Sequence, residues 1–189
     1  MNQVLSWLAG GDLRSDGMAS EVADFILDNP AAFEDLYSGL SEEDDVVRGR
    51  TADALEKIGR KRPDLLQDHL QQVIDLSQDE KVPAVKMHLA MIFGHLAVYP
   101  EQVEQLLLGL YSLLDDESVF TRSWAIASLC IIARKYPERC QDILEHLIPL
   151  QGDSSIAIRT RAKKGINLLT NSNTPFPSGW IKSEYLLDI

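Results

Sequence analysis

Apolar positions along the chain recur with helical spacing and also with a longer period of 37 residues. In the first helix of each unit, termed helix A, apolar or small residues fall on one face of an α-helix. The equivalent residues in four successive units are Ala52, Leu55, Ile58; Leu89, Ile92, His95; Ile126, Leu129, Ile132; and Lys163, Ile166, Leu169. A proline ends three of these helices, at Pro63, Pro100 and Pro137. Because proline stops one helix and suits the first turn of the next, each unit is predicted to be a helical hairpin.

A second apolar stripe follows each proline and defines helix B, starting at Leu66, Val103 and Cys140. The two stripes predict helix pairs over 14–28/31–40, 45–61/64–76, 82–98/101–114 and 119–135/138–150, then a lone helix over 155–170. The first pair fits the pattern less well, as expected for a terminal unit with one face in water. Gly10 and Gly11 predict a turn after a short N-terminal capping helix.

Acidic residues precede helix-A arginines by six positions in three of the units. The pairs are Glu42/Arg48, Asp116/Arg122 and Asp153/Arg159. We expect them to form a structural ladder that ties each turn to its helix and bridges neighbouring units. The remaining unit keeps Asp79 but has Val85 at the arginine position, so an interruption of the ladder is expected there.

Residues 45–59, DVVRGRTADALEKIG, resemble the helix-A consensus of the HEAT repeat family, and residues 116–133 are a second good match. The resemblance covers roughly residues 12–170. It implies an all-α fold, a right-handed α-α superhelix (a HEAT-like solenoid) of about four and a half helical-hairpin repeats. In such a solenoid the B helices line the concave side. The resemblance implies a fold and hardly any chemistry.

The chain is predicted to consist of a repeat array over residues 1–170 and a C-terminal tail over residues 171–189. The tail begins with a linker-like segment and ends with large apolar residues, from Trp180 to Ile189. We expect the tail to act as a cap on the open side of the last helix, near Ile166 and Leu169. Docking into another subunit or a partner is the alternative.

The length of 189 residues suffices for a buried core, and the net charge is −11. Residues 2–9 are too short for a signal sequence or a membrane span, so a cytoplasmic protein without a membrane partner is expected. Cys130 and Cys140 occupy core-like positions and are expected to be reduced thiols.

Charge is distributed unevenly between the two predicted sets of helices. The B helices contain ten acidic residues and one basic residue, Arg139, whereas the later A helices are net positive. This pattern predicts an acidic concave face that binds a basic protein segment, with ordinary solvation as the alternative. The residues expected to bind the partner are Asp68, Gln71, Gln72, Glu104, Gln105, Asp142, Glu145 and His146.

The function predicted from these features is a non-enzymatic scaffold or adaptor that uses no cofactor or metal. His88 and His95 lie seven residues apart, but no repeated His-Glu pair accompanies them, so core or surface roles are expected. One alternative is a HEAT-like enzyme, similar to DNA glycosylases or bilin lyases, although no catalytic motif supports it.

A nucleic-acid-binding module that uses a basic outer edge is a further alternative. The helix-A cations outside the ladder are Arg50, Lys57, Arg60, Lys61, Arg62, Arg134, Lys135, Arg161, Lys163 and Lys164. Trp124 shares a row with Arg50 and Arg161. It is expected to stack on a neighbouring arginine, to contact a partner, or to be half buried where the helix bends.

Overall fold

The computed structural model describes residues 2–189, and this range is all-helical with no strand, as the sequence predicts. The α-helices are α1 Gln3–Leu8, α2 Ala19–Asp28, α3 Phe33–Tyr37, α4 Asp45–Lys61, α5 Asp64–Gln67, α6 Leu70–Asp79, α7 Pro83–His95, α8 Val103–Leu113, α9 Val119–Lys135, α10 Cys140–Leu147 and α11 Ile156–Thr170. Short 3-10 segments extend several of them, and three of these segments begin at Pro30, Pro100 and Pro137.

The helices form two layers with the core between them. In the first layer, termed the A layer, α2, α4, α7, α9 and α11 each pack against the next. The second layer, termed the B layer, contains α3, α5–α6, α8 and α10, which pack against A-layer helices. The helix-A positions of the 37-residue pattern are fully buried from Ala52 to Ile132, apart from small exposure at His95. In α11, Ala162 is buried beside the exposed Lys163.

The first A-layer helix starts at Ala19, five residues later than predicted, because a buried arginine holds the preceding loop in an irregular path. The guanidinium of Arg50 donates to the carbonyls of Leu8 (2.8 Å) and Gly10 (2.7 Å) and to two further loop carbonyls. Gly17 has a φ of 55°, and a Cβ at this position would lie 2.6 Å from the guanidinium carbon. Arg50 is therefore a structural residue and not part of a free basic edge.

Ion pairs join consecutive A-layer units at the turns between the layers. The pairs are Arg48–Glu80, Lys86–Asp116 and Arg122–Asp153. The predicted ladder acid Asp79 is exposed, and its neighbour Glu80 occupies the position instead. Lys86, next to Val85, supplies the cation that Val85 cannot. The expected interruption of the ladder is therefore absent, because a lysine one residue later reaches the same turn.

Each ladder acid also caps the turn in which it lies. Glu80 accepts from the backbone N–H of Val82 at 2.7 Å, and Asp116 and Asp153 accept from the N–H two residues ahead at 2.8 Å. Glu42 contributes only its backbone carbonyl, at 2.8 Å from Arg48 Nη1. Arg159 donates to the backbone carbonyls of its own turn. The three ladder pairs thus connect neighbouring units, and Arg48 also pairs with Asp45 of its own helix at 2.6 Å.

Arg122→Ala is expected to lower the free energy of unfolding by about 1–3 kcal/mol, because it leaves a partly buried carboxylate without its cation. The side chains of Arg122 and Asp153 are 15% and 11% exposed, and Arg122 Nε also donates to the Leu114 carbonyl at 2.7 Å. Urea denaturation followed by circular dichroism measures the loss. Arg14→Ala, which removes a pair with Asp12 on the surface, is the control and should have almost no effect. An equal effect of both substitutions would contradict a structural ladder.

The C-terminal tail runs back across the A layer and reaches α4. Trp180 and Leu186 are buried, and Trp180 lies against the guanidinium of Arg161, 4.1 Å from its ring centroid. Further along, the Glu184 N–H donates to the Arg60 carbonyl at 3.0 Å, and the Tyr185 hydroxyl donates to the Lys61 carbonyl at 3.0 Å. The tail therefore extends well past the predicted position beside α11, and its role as a cap stays a prediction.

Candidate functional site

All eight residues predicted to bind a partner are exposed on the B layer. Asp68, Gln71 and Gln72 lie at the junction of α5 and α6, Glu104 and Gln105 on α8, and the other three on α10. The structure links Glu104, Asp142 and His146 through contacts between α8 and α10. Within residues 2–189, Asp68 and Gln105 form no side-chain hydrogen bond or ion pair with the other six. Gln71 donates to Asp75, and Glu145 accepts from Gln141, each within its own helix.

Side-chain contacts join α8 to α10 and to the 3-10 segment that precedes α10. Glu104 forms an ion pair with Arg139, the one basic residue of the predicted B helices. The Tyr111 hydroxyl donates to Asp142 Oδ2 at 2.5 Å, and the Tyr111 ring stacks on His146 with centroids 3.7 Å apart and planes 5° apart. Burial and the Asp142 carboxylate both raise the pKa of Tyr111, so its hydroxyl remains a donor. These groups form a pre-ordered polar surface.

A similar tyrosine–histidine contact lies two periods earlier in the chain. The ring centroids of Tyr37 and His69 are 4.1 Å apart, and His69 Nε2 lies 3.0 Å from a carboxylate oxygen of Glu34. Burial, and then the Glu34 charge, raises the pKa of Tyr37 to about 12. Tyr37 and Tyr111 are 74 residues apart, which is twice the repeat period. In each contact a tyrosine lies against a histidine that follows it in the chain, but the carboxylate contacts the histidine in the first and the tyrosine in the second.

Leu108 is an exposed apolar residue within the acidic surface, and sequence analysis missed it. Its side chain is 69% exposed. Glu104, Leu108 and Tyr111 follow the i, i+4, i+7 spacing that places residues on one face of a helix. Leu108 therefore lies between the two bridges from α8 to α10. The signal is hidden in the sequence because Leu106–Leu108 is a continuous leucine run, of which only the last member faces solvent.

A second polar cluster lies in the A layer between α4 and α7. Glu56 is fully buried and accepts from Arg60, while His95 Nε2 lies 2.9 Å from Glu56 Oε1. Lys57 Nζ donates to Asp53 Oδ2 at 2.6 Å on the adjacent turn of α4. Burial by itself raises the pKa of Glu56, but the hydrogen bonds from His95 and Arg60 outweigh it and lower that pKa to about 2. Glu56 is therefore a buried, ionised carboxylate.

Asp53, Glu56 and His88 could in principle hold a metal ion, because their potential ligand atoms lie within 4.8 Å of one another. The positive charges around these three residues disfavour a bound metal ion. The Glu56 oxygens already accept from Arg60 and the Asp53 carboxylate from Lys57, and the partly buried Lys182 of the tail adds a third positive charge nearby. These residues therefore fit an internal ion-pair network better than a metal centre.

Most of the cations expected to form a basic outer edge are engaged in the structure. Arg60 and Lys57 belong to the buried network, Arg62 pairs with Asp64, and Arg134 donates to the Thr174 carbonyl at 3.0 Å. Of the ten, the three that are exposed and make no ion pair within residues 2–189 are Lys61, Lys163 and Lys164. Cations engaged within the chain therefore interrupt the predicted edge.

Trp124 is half buried because the tail covers it. Two cations lie over its ring, the guanidinium of Arg161 at 5.2 Å from the centroid and the ammonium of Lys182 at 4.8 Å. The stacking on an arginine of the neighbouring unit follows the sequence pattern, whereas the contact with Lys182 depends on the path of the tail. Trp124 is thus used within the chain and is not a free contact residue.

No helix within residues 2–189 combines the length and the apolar character needed to cross a membrane. Comparisons of the sequence with models of known protein families and with curated proteins find no match. The similarity to HEAT repeats therefore rests on the residue pattern of this chain alone.

Proposed function

We propose that this protein is a non-enzymatic scaffold or adaptor that binds a basic, amphipathic protein segment on the exposed face of its B layer. The observation that carries the proposal is the position of Leu108, which is 69% exposed among the carboxylates of α8 and α10. An apolar contact at the centre of a charged surface provides affinity, and the surrounding charges provide orientation and specificity.

The wider architecture in this proposal is a right-handed α-α superhelix in which the B layer lines the concave side. The support is the 37-residue period, the packing of each A-layer helix on the next, and the ion pairs between consecutive units. Rigid stacking of this kind reduces the entropy lost by the scaffold on binding, because the surface is already ordered. The bridges from Tyr111 to Asp142 and His146 contribute to that order.

Charge favours a protein partner with lysine or arginine residues. Asp142 and Glu145 are exposed on α10, Glu104 is exposed on α8, and Arg139 is already paired with Glu104. In an amphipathic helix with one apolar anchor flanked by cations, the anchor would pack against Leu108 and the cations would pair with these carboxylates. The engaged A-layer cations offer no comparable support for a nucleic-acid partner.

Reversing three B-layer charges, with Glu104→Lys, Asp142→Lys and Glu145→Lys, is expected to weaken the partner complex by at least about tenfold. The partner is first captured with the full chain, and its shortest binding segment is then made as a labelled peptide. Fluorescence anisotropy measures Kd at low and high salt. Leu108→Ala should also weaken binding, because it removes the apolar anchor.

The matched control reverses three exposed acids of the A layer, Glu21, Asp24 and Asp28, and so makes the same change in net charge. This control should leave Kd nearly unchanged if binding depends on the B layer. Circular dichroism checks that both triple variants remain helical. Binding that is indifferent to the B-layer reversal and to added salt would refute the proposed surface.

A further inference from the structure

Two adjoining pockets lie at the edge where α7 and α9 begin. The larger has a volume of about 570 Å³ and is lined by charged and polar residues of the α6–α7 and α8–α9 turns, by Pro83 and Lys86 of α7, and by Ser112 near the end of α8. The smaller has a volume of about 270 Å³ and an almost wholly apolar lining. Pro83 and Ser118 line both pockets, so the two form one continuous groove. We name it the edge groove.

Exposed carboxylates dominate the free charge of the larger pocket. Asp116 is already paired with Lys86, and Glu80 is paired with Arg48 of the preceding unit. Asp115 and Glu117 are exposed and make no ion pair with any residue that the structure describes. Lys81 is the lining cation that makes no ion pair within residues 2–189. The free charge is therefore negative and suits a cationic side chain.

The smaller pocket provides the apolar half of the edge groove. Phe120, in the first turn of α9, is 72% exposed and forms one wall opposite Pro83, Ala84 and Met87 of α7. No residue of the tail or of the B layer lines this pocket. A single exposed apolar residue is ordinary, but a phenylalanine that forms the wall of an apolar pocket marks a binding surface.

We propose that the edge groove is a second docking site, which binds a short peptide segment that carries an arginine or lysine beside a large apolar residue. The cation enters the larger pocket near Asp115 and Glu117, and the apolar side chain packs against Phe120. Because the pockets share two lining residues, neighbouring positions of an extended peptide, about 3.3 Å apart per residue, suffice to reach both. Leu108 lines neither pocket of the groove.

The proposal is tested by selecting a phage-displayed library of random peptides on the immobilised full chain. We expect enriched peptides to combine a basic residue with an aromatic or large aliphatic residue within a few positions. Synthetic copies are then measured by fluorescence anisotropy. Phe120→Ala should raise Kd by about tenfold or more, and Asp115→Asn with Glu117→Gln should raise it severalfold and reduce its salt dependence.

Two variants serve as controls. Ile156→Ala removes an apolar side chain that is also 72% exposed but lies outside the groove, and Leu108→Ala alters the B-layer face. Neither should change Kd. All five substituted side chains, three in the groove and two in the controls, are exposed, so thermal unfolding should remain near that of the parent chain.

Three results would overturn the proposal. The first is that no peptide is enriched, or that enriched peptides lack basic residues. The second is that their binding is unchanged by Phe120→Ala. The third is that the chain self-associates through Phe120, with a dimer in light scattering that Phe120→Ala abolishes, since the occupant would then be a second copy.

Discussion

Glu56→Gln is expected to lower the free energy of unfolding at neutral pH by about 3 kcal/mol and to have a smaller effect in acid. Glu56 is fully buried between α4 and α7, where it accepts from Arg60 and lies 2.9 Å from His95 Nε2. Glutamine keeps the shape but removes the charge, so the partly buried guanidinium of Arg60 loses its counter-ion.

The pH dependence of this loss has a definite sign. The pKa of Glu56 is about 2 in the folded chain, below its ordinary value of 4.5. Its ionisation therefore stabilises the fold fully above about pH 4.5, and this stabilisation is lost as the pH falls toward 2. The difference between the parent chain and Glu56→Gln should shrink by roughly half between pH 7 and pH 3.

Urea denaturation at several pH values between 3 and 7, followed by circular dichroism, measures this difference. The control is Asp64→Asn, which removes an exposed carboxylate that pairs with Arg62 near the end of α4. It should cost about 0–1 kcal/mol, because water screens both charges. A loss for Glu56→Gln that is constant over this pH range would show that the carboxylate charge is not the stabilising feature.

Trp180→Ala is expected to lower the free energy of unfolding by roughly 3 kcal/mol, within the range found for large buried aromatics. The Trp180 side chain is 4% exposed and covers the guanidinium of Arg161. Removing the Trp180 side chain uncovers the row of helix-A residues that contains Arg161 and Trp124. If the tail detaches as one unit, deletion of residues 172–189 should cost about as much as the single substitution.

Thermal unfolding and light scattering measure both variants, and a lower Tm or aggregation is the expected result. Leu187→Ala is the matched control, because Leu187 belongs to the same segment but is 65% exposed. It should leave Tm nearly unchanged. If the truncated chain is as stable as the parent and remains monomeric, the tail is a free docking peptide and its contacts with α4 contribute nothing to folding.

The candidate sites show where reasoning from sequence stops. The exposure of Asp142 and Glu145 follows from the apolar stripe of α10, because polar residues opposite a buried stripe face water. The exposure of Leu108 and of Phe120 does not follow from any apolar stripe in the sequence. Whether such a residue is covered depends on neighbouring helices and on the tail, which reaches α4 but leaves these two positions open.

The ladder shows a similar division. The recurrence of an acid and an arginine predicts ion pairs at the turns. Arg48, however, pairs with Glu80, 32 residues away, and with Asp45 on its own helix, and not with the Glu42 side chain. Lys86 replaces the missing arginine because its long, flexible side chain reaches Asp116 from a neighbouring position. A search for residues at a fixed period misses a ladder cation that has moved by one position.

The sequence by itself determined the helices, their order and most of the core, because helical periodicity and proline positions act over a few residues. Only the tertiary structure decided which charges are free. Arg50, Arg60 and Arg161 look alike in the sequence, yet each is engaged by a different part of the chain. The Tyr185 hydroxyl contacts the Lys61 carbonyl across 124 residues. Contacts of that range arise from packing, and no local pattern of residue types encodes them.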